Sequence, residues 1–310
     1  MVILEFKNDM QNKNKYSVSI IIPNLNGENI IENNFSCVLV AMDNPANCIT
    51  EIIVVDDFSS DKSVEIIRKK FPGIKLIRHT KHRGFSAAVN TGVRASLGNL
   101  LALINNDVLP QKDFLVPVIP HFDNPDIFAV SMHEKGYGWG RGVFKDGYIA
   151  NEQGGETKET QTTFWVSGGS GIFRKSYWTL LGGLDEALLS PFTWEDFDIC
   201  YRASKRGYKL LWEPKSRVVH EHETTTKMFP KKYYDSIKER NQLLVIWKNI
   251  TSPNLLRKHV LGVFSRAIKH PGYLRIVLMA LGKIKLVLAR RKRETKEGKV
   301  SDEAIFAKFQ

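Results

Sequence analysis

The chain has 310 residues, of which 43% are hydrophobic and 25% are charged, and its formal net charge is +12. This composition is typical of a folded globular protein, so it excludes a largely disordered chain. The three cysteines form no CxxC pair, which excludes a zinc ribbon or a disulfide framework and favours a reducing compartment.

Four strands and three helices are predicted to alternate over the first hundred residues. Runs rich in Ile, Val and Leu predict strands buried on both faces at 16–23, 51–57, 74–79 and 99–105. Helical spacing predicts the intervening helices at 27–42, 60–71 and 84–97. This alternation predicts a doubly wound α/β sheet, whose ligands bind at the carboxyl ends of the strands. The polar segments PNLN, DDFSSD and NND stand at those ends.

The regular alternation ends after Pro110. The Gly- and aromatic-rich segment 136–155 predicts loops or a hairpin facing a substrate, and two strands are predicted in each of TTFWVSGGSGIF and YKLLWEPKSRVVHEH. Helices are predicted at 231–249, 254–269 and 273–291. The basic run RRKRETKEGK at 290–299 is expected to be mobile.

The basic charge is concentrated at the end of the chain. Residues 1–225 carry 25 Lys and Arg against 27 Asp and Glu, a net charge of −2, whereas residues 226–310 carry 20 against 6, a net charge of +14. A nucleic-acid-binding protein needs a positive track that continues over its body, and residues 1–225 supply none. The charge distribution therefore predicts a nearly neutral body, a separate basic element and no nucleic-acid partner.

Polar side chains with ligand chemistry follow the predicted strands. Asp57, in VVDDFSSD, can accept hydrogen bonds from a nucleobase or ribose, or cap the next helix. Neither GxGxxG nor a lysine-bearing phosphate loop is present. The segments NND at 105–107 and VVHEH at 218–222 offer carboxylate, amide and imidazole groups. These suit Mg²⁺ or Mn²⁺ on a diphosphate, with imidazole favouring Mn²⁺, although a turn and two surface histidines explain the same residues.

Three carboxylates lie among aromatic residues in TWEDFDICYR at 193–202. Aromatic neighbours desolvate a carboxylate and raise its pKa toward that of a working base. A helix start explains Asp198, which is expected to form an exposed ion pair with Arg202. Glu195 and Asp196 are not explained in this way, so acid–base catalysis is predicted for them.

Six ordered blocks of the sequence resemble the family 2 glycosyltransferases of the GT-A fold, most of all their bacterial rhamnosyl- and galactofuranosyltransferase branch. The blocks are VSIIIPNLNG, EIIVVDDFSSDKS, RGFSAAVNTGVRASLGNLLALINND, SGGSGIFRKSYWTLLGGLDE, WEDFDICYRASKRGYKLLWEPKSRVVH and YYDSIKERNQLLVIWKN. The resemblance implies a doubly wound mixed sheet with a C-terminal helical region. Its implied divisions are a leader at 1–16, a GT-A domain at 17–225 and a basic amphipathic helical region at 226–310. Within the domain, 17–110 is the nucleotide-sugar half and 111–225 the acceptor half.

The resemblance also implies roles for matching residues in an inverting, metal-dependent transfer. Asp196, with Glu195 beside it, is implied to be catalytic. Asp107 and His220 are implied to bind the metal, Mn²⁺ or Mg²⁺. The residues implied to bind the donor are Pro23, Asn24, Asn26, Asp57, Gly84, Phe85, Asn90, Asn105 and Asn106. The family's Asp-x-Asp motif begins here with Asn105, which implies weaker metal affinity. The implied donor is a UDP-, dTDP- or GDP-linked sugar, and the implied acceptor is a glycan or polyprenyl-linked glycan in cell-surface polysaccharide synthesis.

The basic helices of the tail suggest where the protein acts. They carry apolar stripes but no run of about 20 apolar residues, so they are expected to lie on the anionic inner face of the cell membrane rather than cross it. The chain start also lacks the apolar run of a signal peptide, which predicts a cytoplasmic, peripheral membrane protein. Packing of the tail on the body or on a second subunit, as in a homodimer, is the alternative.

Two other functions stay open. A sugar-nucleotide-binding protein without transferase activity would keep the pocket but lose the base, whereas Asp196 is present. A sugar-1-phosphate nucleotidyltransferase would need a Gly-rich, Arg- and Lys-bearing loop after its first strand, which PNLNGEN does not provide.

Overall fold

The computed structural model describes residues 15–220 and 229–310, and within them nine strands form one mixed sheet. Its first half is parallel, in the order β3-β2-β1-β4. These strands are β1 (Val18–Asn24), β2 (Ile49–Asp56), β3 (Lys75–Arg78) and β4 (Leu100–Ile104). The intervening helices are α1 (Ile31–Met42), α2 (Ser63–Lys70) and α3 (Phe85–Ala95), with a short 3-10 turn at Pro45–Asn47. The predicted alternation is confirmed.

The apolar runs of these strands are continuous because helices cover both faces of the sheet. Ile20 and Ile22 of β1 pack with Phe35 of α1 in one core, while Ile21 packs with Val89 of α3 in the core on the opposite face. Successive side chains of a strand point to opposite faces, so each must be apolar when both faces are buried. The strand ends are thereby held in a fixed row.

The second half of the sheet mixes strand directions, in the order β4-β10-β6-β11-β5. Strand β10 is antiparallel to β4 and β6, β11 is parallel to β6, and β9 pairs with β11. These strands are β5 (Val108–Pro110), β6 (Ile127–Glu134), β9 (Gln161–Thr162), β10 (Ser170–Arg174) and β11 (Lys209–His220). The helical segments are a 3-10 helix (Ile119–Asp123), α4 (Lys175–Leu181), α5 (Glu186–Leu189) and α6 (Glu195–Lys205).

Two details differ from the predicted elements, and one agrees. YKLLWEPKSRVVH forms one strand rather than two, because β11 keeps its pairing with β6 across a register shift between Glu213 and Arg217. Of the two strands predicted around the glycine turn, the first is reduced to Gln161–Thr162, which pairs with β11, and the second is β10, which pairs with β4 and β6. The hairpin predicted within 136–155 is present as β7 (Gly140–Lys145) and β8 (Tyr148–Gln153).

The C-terminal region is helical, as predicted. Its helices are α7 (Lys231–Asn249), α8 (Pro253–Lys269), α9 (Tyr273–Leu281), α10 (Ile284–Glu297) and α11 (Asp302–Ala307). The predicted helix 273–291 is interrupted after Leu281. The expectation that 290–299 is mobile is wrong, because most of this run lies in α10. There the buried Glu294 accepts a hydrogen bond from Arg206 at 2.7 Å.

One face of this helical region packs against the body. Leu243 of α7 and Phe306 of α11 join a core with Ile149 of the hairpin and Phe164. The carboxylate of Asp302 accepts hydrogen bonds from Tyr201 and Lys205 of α6, at 2.7 and 2.9 Å. The last helices are therefore fastened to the back of α6. No helix in the described ranges is long and apolar enough to span a membrane.

Candidate active site

A cavity of about 880 Å³ opens where β1, β2 and β4 end, a volume typical of small-molecule sites. Side chains reach it from the strand-end loops, from the segment leading into α6 and from the start of α7. The predicted site residues that line it are Pro23, Asn24, Asp57, Phe85, Asn105, Asn106, Asp107, Glu195, Asp196 and His220. The fold thus brings together side chains from distant parts of the sequence.

Three predicted donor-binding residues do not line this cavity but support its walls. The Asn26 side chain accepts the backbone N–H of Ser60 at 2.9 Å. The Asn90 side chain donates to the carbonyl of Leu184 and accepts its N–H, at 2.8 and 3.1 Å. Gly84 has φ +89°, and a Cβ there would lie 2.7 Å from the carbonyl oxygen of Pro191. Only glycine fits both the conformation and the space.

The floor of the cavity is a chain of side-chain amides. Asn106 donates to the side-chain oxygen of Asn24 at 2.9 Å, and Asn24 donates to Asp56 at 3.0 Å. The carbonyl of Asn106 accepts from Asn34 at 2.7 Å. Gly27 lies against this chain, since a Cβ there would meet the Asn24 and Asn106 amides at 2.5 and 2.7 Å. The floor is polar and its orientation is fixed by these bonds.

Asp107 and His220 lie together, as the resemblance implied for a metal site. Nε2 of His220 is 3.1 Å from Oδ1 of Asp107, and Nδ1 is 3.2 Å from Oε1 of Glu134. Burial alone would lower the pKa of His220, but its hydrogen bonds with the two carboxylates raise it to about 9. A carboxylate behind a histidine is the usual orienting partner of a metal ligand.

The donor set therefore fits a divalent cation that takes its remaining ligands from a diphosphate and water. Among the residues with described positions, no group of three or more His, Cys, Asp and Glu side chains is arranged to hold a metal ion. His222, the second histidine of VVHEH, lies outside the described residues.

Glu195 and Asp196 stand at the cavity wall, at the start of α6. Glu195 is only 7% exposed, and burial, with the neighbouring Asp196 charge, raises its pKa to about 8. Burial also raises the pKa of Asp196, although the N–H groups of Gly168 and Phe197 donate to its carboxylate at 3.2 and 2.7 Å. The desolvation predicted from the aromatic neighbours is confirmed, and Glu195 is mostly protonated at pH 7.

The interpretation of Asp198 as half of an exposed ion pair is wrong. Its side chain is fully buried and contacts Nε of Arg202 at 2.9 Å, Nζ of Lys248 at 2.9 Å and Nδ2 of Asn249 at 2.7 Å. Burial alone would raise the pKa of Asp198, but the charges of Arg202 and Lys248 lower it to about 2. Asp198 thus joins α6 to α7.

Two residues of α7 that were not predicted to belong to the site hold the segment before α6. Asn241 donates to the carbonyls of Leu189, Phe192 and Thr193 at 2.6 to 3.0 Å, and Arg240 donates to that of Ser190 at 2.9 Å. Both occupy the buried stripe of α7, where apolar residues are expected. Polar residues at apolar positions of a helical pattern are the signal that could have identified them.

A mixed sheet whose strand ends, acidic helix start and histidine meet at one cavity defines an α/β protein built like the GT-A enzymes. The profile described as Glycosyl transferase family 2 matches residues 19–181, more than half of the chain, and the chain belongs to this family.

Two relatives illustrate the extent of the similarity. The pre-mycofactocin glycosyltransferase of Mycobacterium tuberculosis is 27% identical over 183 residues, covering 56% of this chain and 38% of the relative. The dolichol-phosphate mannosyltransferase of Pyrococcus furiosus is 33% identical over 124 residues, covering 38% of this chain and 34% of the relative. The chain spans less than half of the length of these curated relatives. Neither name points to the rhamnosyl- or galactofuranosyltransferase branch, which stays a prediction.

Solved structures show the same fold. GalNAc-T7 with UDP, GalNAc and Mn²⁺ has a TM-score of 0.62 at 18% identity, covering 84% of this chain and 57% of that one. The mannosyltransferase PcManGT of Pyrobaculum calidifontis, with GDP-Man and Mn²⁺, has a TM-score of 0.56 at 16% identity. The match covers 99% of this chain and 92% of that one. TarS 1–349 of S. aureus, with UDP-GlcNAc, has a TM-score of 0.56 at 18% identity, covering 91% of this chain and 84% of that one. The predicted GT-A fold with a C-terminal helical region is confirmed.

Proposed function

We propose that the protein is an inverting glycosyltransferase that moves a sugar from a nucleotide diphosphate to a hydroxyl of a glycan or lipid-linked glycan. Similar structures are described with UDP, UDP-GlcNAc and GDP-Man, which supports a nucleotide-sugar donor, and we expect a UDP-, dTDP- or GDP-linked sugar. In this proposal residues 17–110 bind the donor and 111–225 bind the acceptor. Helix α7, from the region 226–310, completes the wall.

Three buried oxygens without a partner, on residues that line the cavity, support the proposal. Oδ1 of Asn105, Oγ1 of Thr193 and Oε2 of Glu195 are buried and have no hydrogen-bond partner within residues 15–220 and 229–310. All three residues line the cavity. A buried polar group left unpaired costs about 1–3 kcal/mol, so native proteins rarely leave one without a hydrogen-bond partner. A nucleotide sugar, rich in hydroxyl and amide groups, supplies such partners.

The acid pair supplies the base for the transfer. Oδ2 of Asp196 holds one backbone N–H at 3.2 Å and keeps lone pairs for an acceptor hydroxyl. Asp196 takes the hydroxyl proton as the acceptor oxygen forms a bond to the anomeric carbon and the bond from that carbon to the diphosphate breaks. Attack opposite the leaving group inverts the configuration. Glu195, protonated at neutral pH, can donate a hydrogen bond to a sugar hydroxyl beside it.

Asp107 and His220 would hold the divalent cation, Mn²⁺ or Mg²⁺. When bound, such an ion supplies positive charge to the departing diphosphate. Asn105, in the position of the family's first acid, would offer the ion a neutral amide oxygen in place of a carboxylate, and weaker metal affinity is expected for that reason. Glu134 fixes the orientation of the His220 ring from behind.

Transfer activity is expected to disappear in excess chelator and to return with Mn²⁺ at least as well as with Mg²⁺. His220→Ala should raise the metal concentration needed for half-maximal activity by roughly 10- to 100-fold, the usual effect of a lost metal-site group. Nucleotide affinity, measured by calorimetry, should change less. His121→Ala, which removes a histidine paired with Glu213 away from the cavity, is the matched control. Full activity in chelator would overturn the metal requirement.

The proposed acceptor also suggests a location. A polyprenyl-linked acceptor is held in the inner leaflet of the cell membrane, so an enzyme that uses it works at that surface, in cell-surface polysaccharide synthesis. The basic excess of residues 226–310 supports this cytoplasmic, peripheral location, because anionic lipids attract such segments.

A panel of nucleotide sugars tests the proposed function directly. One of them should raise the thermal unfolding midpoint, since a ligand present at 100 times its Kd stabilises a protein by about 2.7 kcal/mol. The same compound should be hydrolysed slowly to free sugar without an acceptor. Binding without hydrolysis or transfer to any glycan acceptor would instead indicate a sugar-nucleotide-binding protein.

A further inference from the structure

Seven large apolar side chains are exposed on the consecutive helices α8 and α9, and we name them the apolar ridge. They are Val260, Leu261, Phe264, Ile268, Leu274, Leu278 and Leu281. Ile268 is 78% exposed, Leu278 67% and Phe264 65%. Spacings of three and four residues put the members on one side of each helix. Single exposed apolar residues are ordinary, but a group of this size marks an interaction surface.

The ridge belongs to well-packed helices. Leu255 and His259 of α8 are buried, as are Tyr273, Ile276 and Ala280 of α9. Nδ1 of His259 is 2.7 Å from the carbonyl oxygen of Gly147 in the hairpin. The opposite sides of both helices are thus occupied by the body, and the ridge is what they present outward.

The charge around the ridge has one sign. Between residues 253 and 293 the chain has eleven Lys and Arg and no Asp or Glu. Some of these bases serve the fold, as when Arg291 donates to the carbonyl of Trp247 at 2.7 Å. Others are exposed and form no ion pair with any residue of the described ranges. Among them are Arg257, Lys258, Lys269, Arg275 and Lys285.

We propose that the apolar ridge and these five bases form the surface by which the protein binds an anionic lipid bilayer. The ridge side chains enter the apolar part of the lipid layer while the bases meet the headgroups. A second copy of the chain fits less well, because two such surfaces would bring like charges together. Nucleic acid would satisfy the bases but offer no apolar partner to the ridge. This inference deepens the proposed function by assigning a surface to the membrane, and it rests on that function only for its purpose.

Vesicle sedimentation of the full chain tests the assignment. The protein should bind phosphatidylcholine vesicles that contain phosphatidylglycerol and bind pure phosphatidylcholine far less. Binding should weaken as salt rises, since charges near a surface are screened within about 8 Å at physiological ionic strength. Equal binding to both vesicles, or no dependence on salt, would overturn the electrostatic part.

Two variants distinguish vesicle binding through the apolar ridge from nonspecific binding. Phe264→Ser with Ile268→Ser should weaken vesicle binding roughly 100-fold or more, since each removes a large apolar side chain from the lipid. Leu97→Ser, which changes a side chain 85% exposed elsewhere, is the matched control and should bind as the original chain does. Equal binding by all three proteins would overturn the proposal. A dimer in ultracentrifugation that the double change abolishes would assign the ridge to a second copy.

Hydrolysis of the nucleotide sugar in solution distinguishes this inference from the proposed function. The double variant should hydrolyse its donor as fast as the original chain, because the ridge is not part of the cavity. Lost vesicle binding with normal hydrolysis is the expected result. Hydrolysis without vesicle binding in the original chain would overturn the lipid surface and leave the proposed function standing.

A second inference comes from the carboxylate of Asp57. Its Oδ1 contacts Nδ1 of His79 at 2.7 Å and accepts the N–H of Arg83 at 2.9 Å. Its Oδ2 accepts the N–H of Gly84 at 2.7 Å and contacts Nδ1 of His82 at 2.8 Å. A carboxylate offers about four lone-pair sites. The lone-pair sites of Asp57 are therefore all occupied by contacts with the 79–84 segment. None remains to accept a hydrogen bond from a nucleobase.

We infer that His82, rather than Asp57, meets the edge of the donor's nucleobase. The His82 ring lines the cavity, and its side chain is 42% exposed. Nδ1 of His82 lies 2.8 Å from Oδ2 of Asp57, so Nε2 is the ring nitrogen left to form a hydrogen bond with the base. This role depends on the proposed nucleotide donor.

Calorimetry with a nucleoside diphosphate and with inorganic diphosphate tests this role. His82→Ala should weaken binding of the nucleoside diphosphate by about tenfold, which corresponds to the loss of one hydrogen bond. Inorganic diphosphate should bind as before, because it has no base. An unchanged affinity for both compounds would overturn the inference. An equal loss of affinity for both would show that His82 only stabilises the loop and does not contact the base. Absence of any nucleoside diphosphate binding in the original chain would overturn the proposed function as well.

Discussion

Asp196→Asn is expected to bind the donor about as tightly as the original chain and to transfer sugar roughly 10²- to 10⁴-fold more slowly, the usual value of a general base. Asparagine keeps the shape of the side chain, and its oxygen can still accept the N–H of Gly168. It cannot take a proton from the acceptor hydroxyl. The loss should therefore appear in turnover and leave donor affinity nearly unchanged.

Single-turnover kinetics and donor titration make this measurement. Asp126→Asn, which breaks an exposed ion pair with Lys209, is the matched control and should leave turnover unchanged. Glu195→Gln keeps a hydrogen-bond donor where Glu195 is protonated, so its turnover should fall less. A turnover that survives in Asp196→Asn and fails in Glu195→Gln would assign the base to Glu195.

The activity should also depend on pH through this base. Burial raises the pKa of Asp196, so protonation inactivates the base at a higher pH than for an exposed aspartate. Turnover should fall as the pH drops through that raised pKa.

Asp198→Asn is expected to lower the free energy of unfolding by about 3–5 kcal/mol, the cost of removing one partner from a buried ion pair. The change leaves Arg202 and Lys248 buried with one counter-charge fewer, since Lys248 keeps its contact with Asp185 at 2.9 Å. An exposed pair would lose at most about 1 kcal/mol. Denaturant unfolding measures the difference, and Asp126→Asn again serves as the exposed control.

The pH dependence of this stability has a definite sign. The pKa of Asp198 is about 2 in the folded protein, below the value of about 3.9 for an unfolded aspartate. Its contribution is fully present above the unfolded pKa and is lost as the pH falls toward 2. The difference between the original chain and Asp198→Asn should therefore shrink in acid. A small loss at neutral pH, equal to that of Asp126→Asn, would contradict the buried network.

The elements of the fold were predictable because their signals are local. The apolar runs of β1 and β2 and the acids at the ends of strands are visible within a few residues. The role of Asp198 was not predictable, because Lys248 and Asn249 lie about 50 residues away and sequence offers only the nearby Arg202. The sequence placed Asp107 and His220 in one site through family resemblance, whereas spacing alone could not join them.

The contacts that hold the segment 189–193 have a consequence for how the lining of the cavity can vary. Arg240 and Asn241 bind only main-chain carbonyls of this segment, so they are indifferent to its side chains. The side chains of Phe192 and Thr193 line the cavity. The Phe192 ring also stacks on that of Tyr234 in α7, with ring centroids 5.3 Å apart, so this side chain helps to hold the segment as well as to line the wall. Replacement at 193 would therefore change the lining of the cavity while the main-chain contacts that position α6 stay in place.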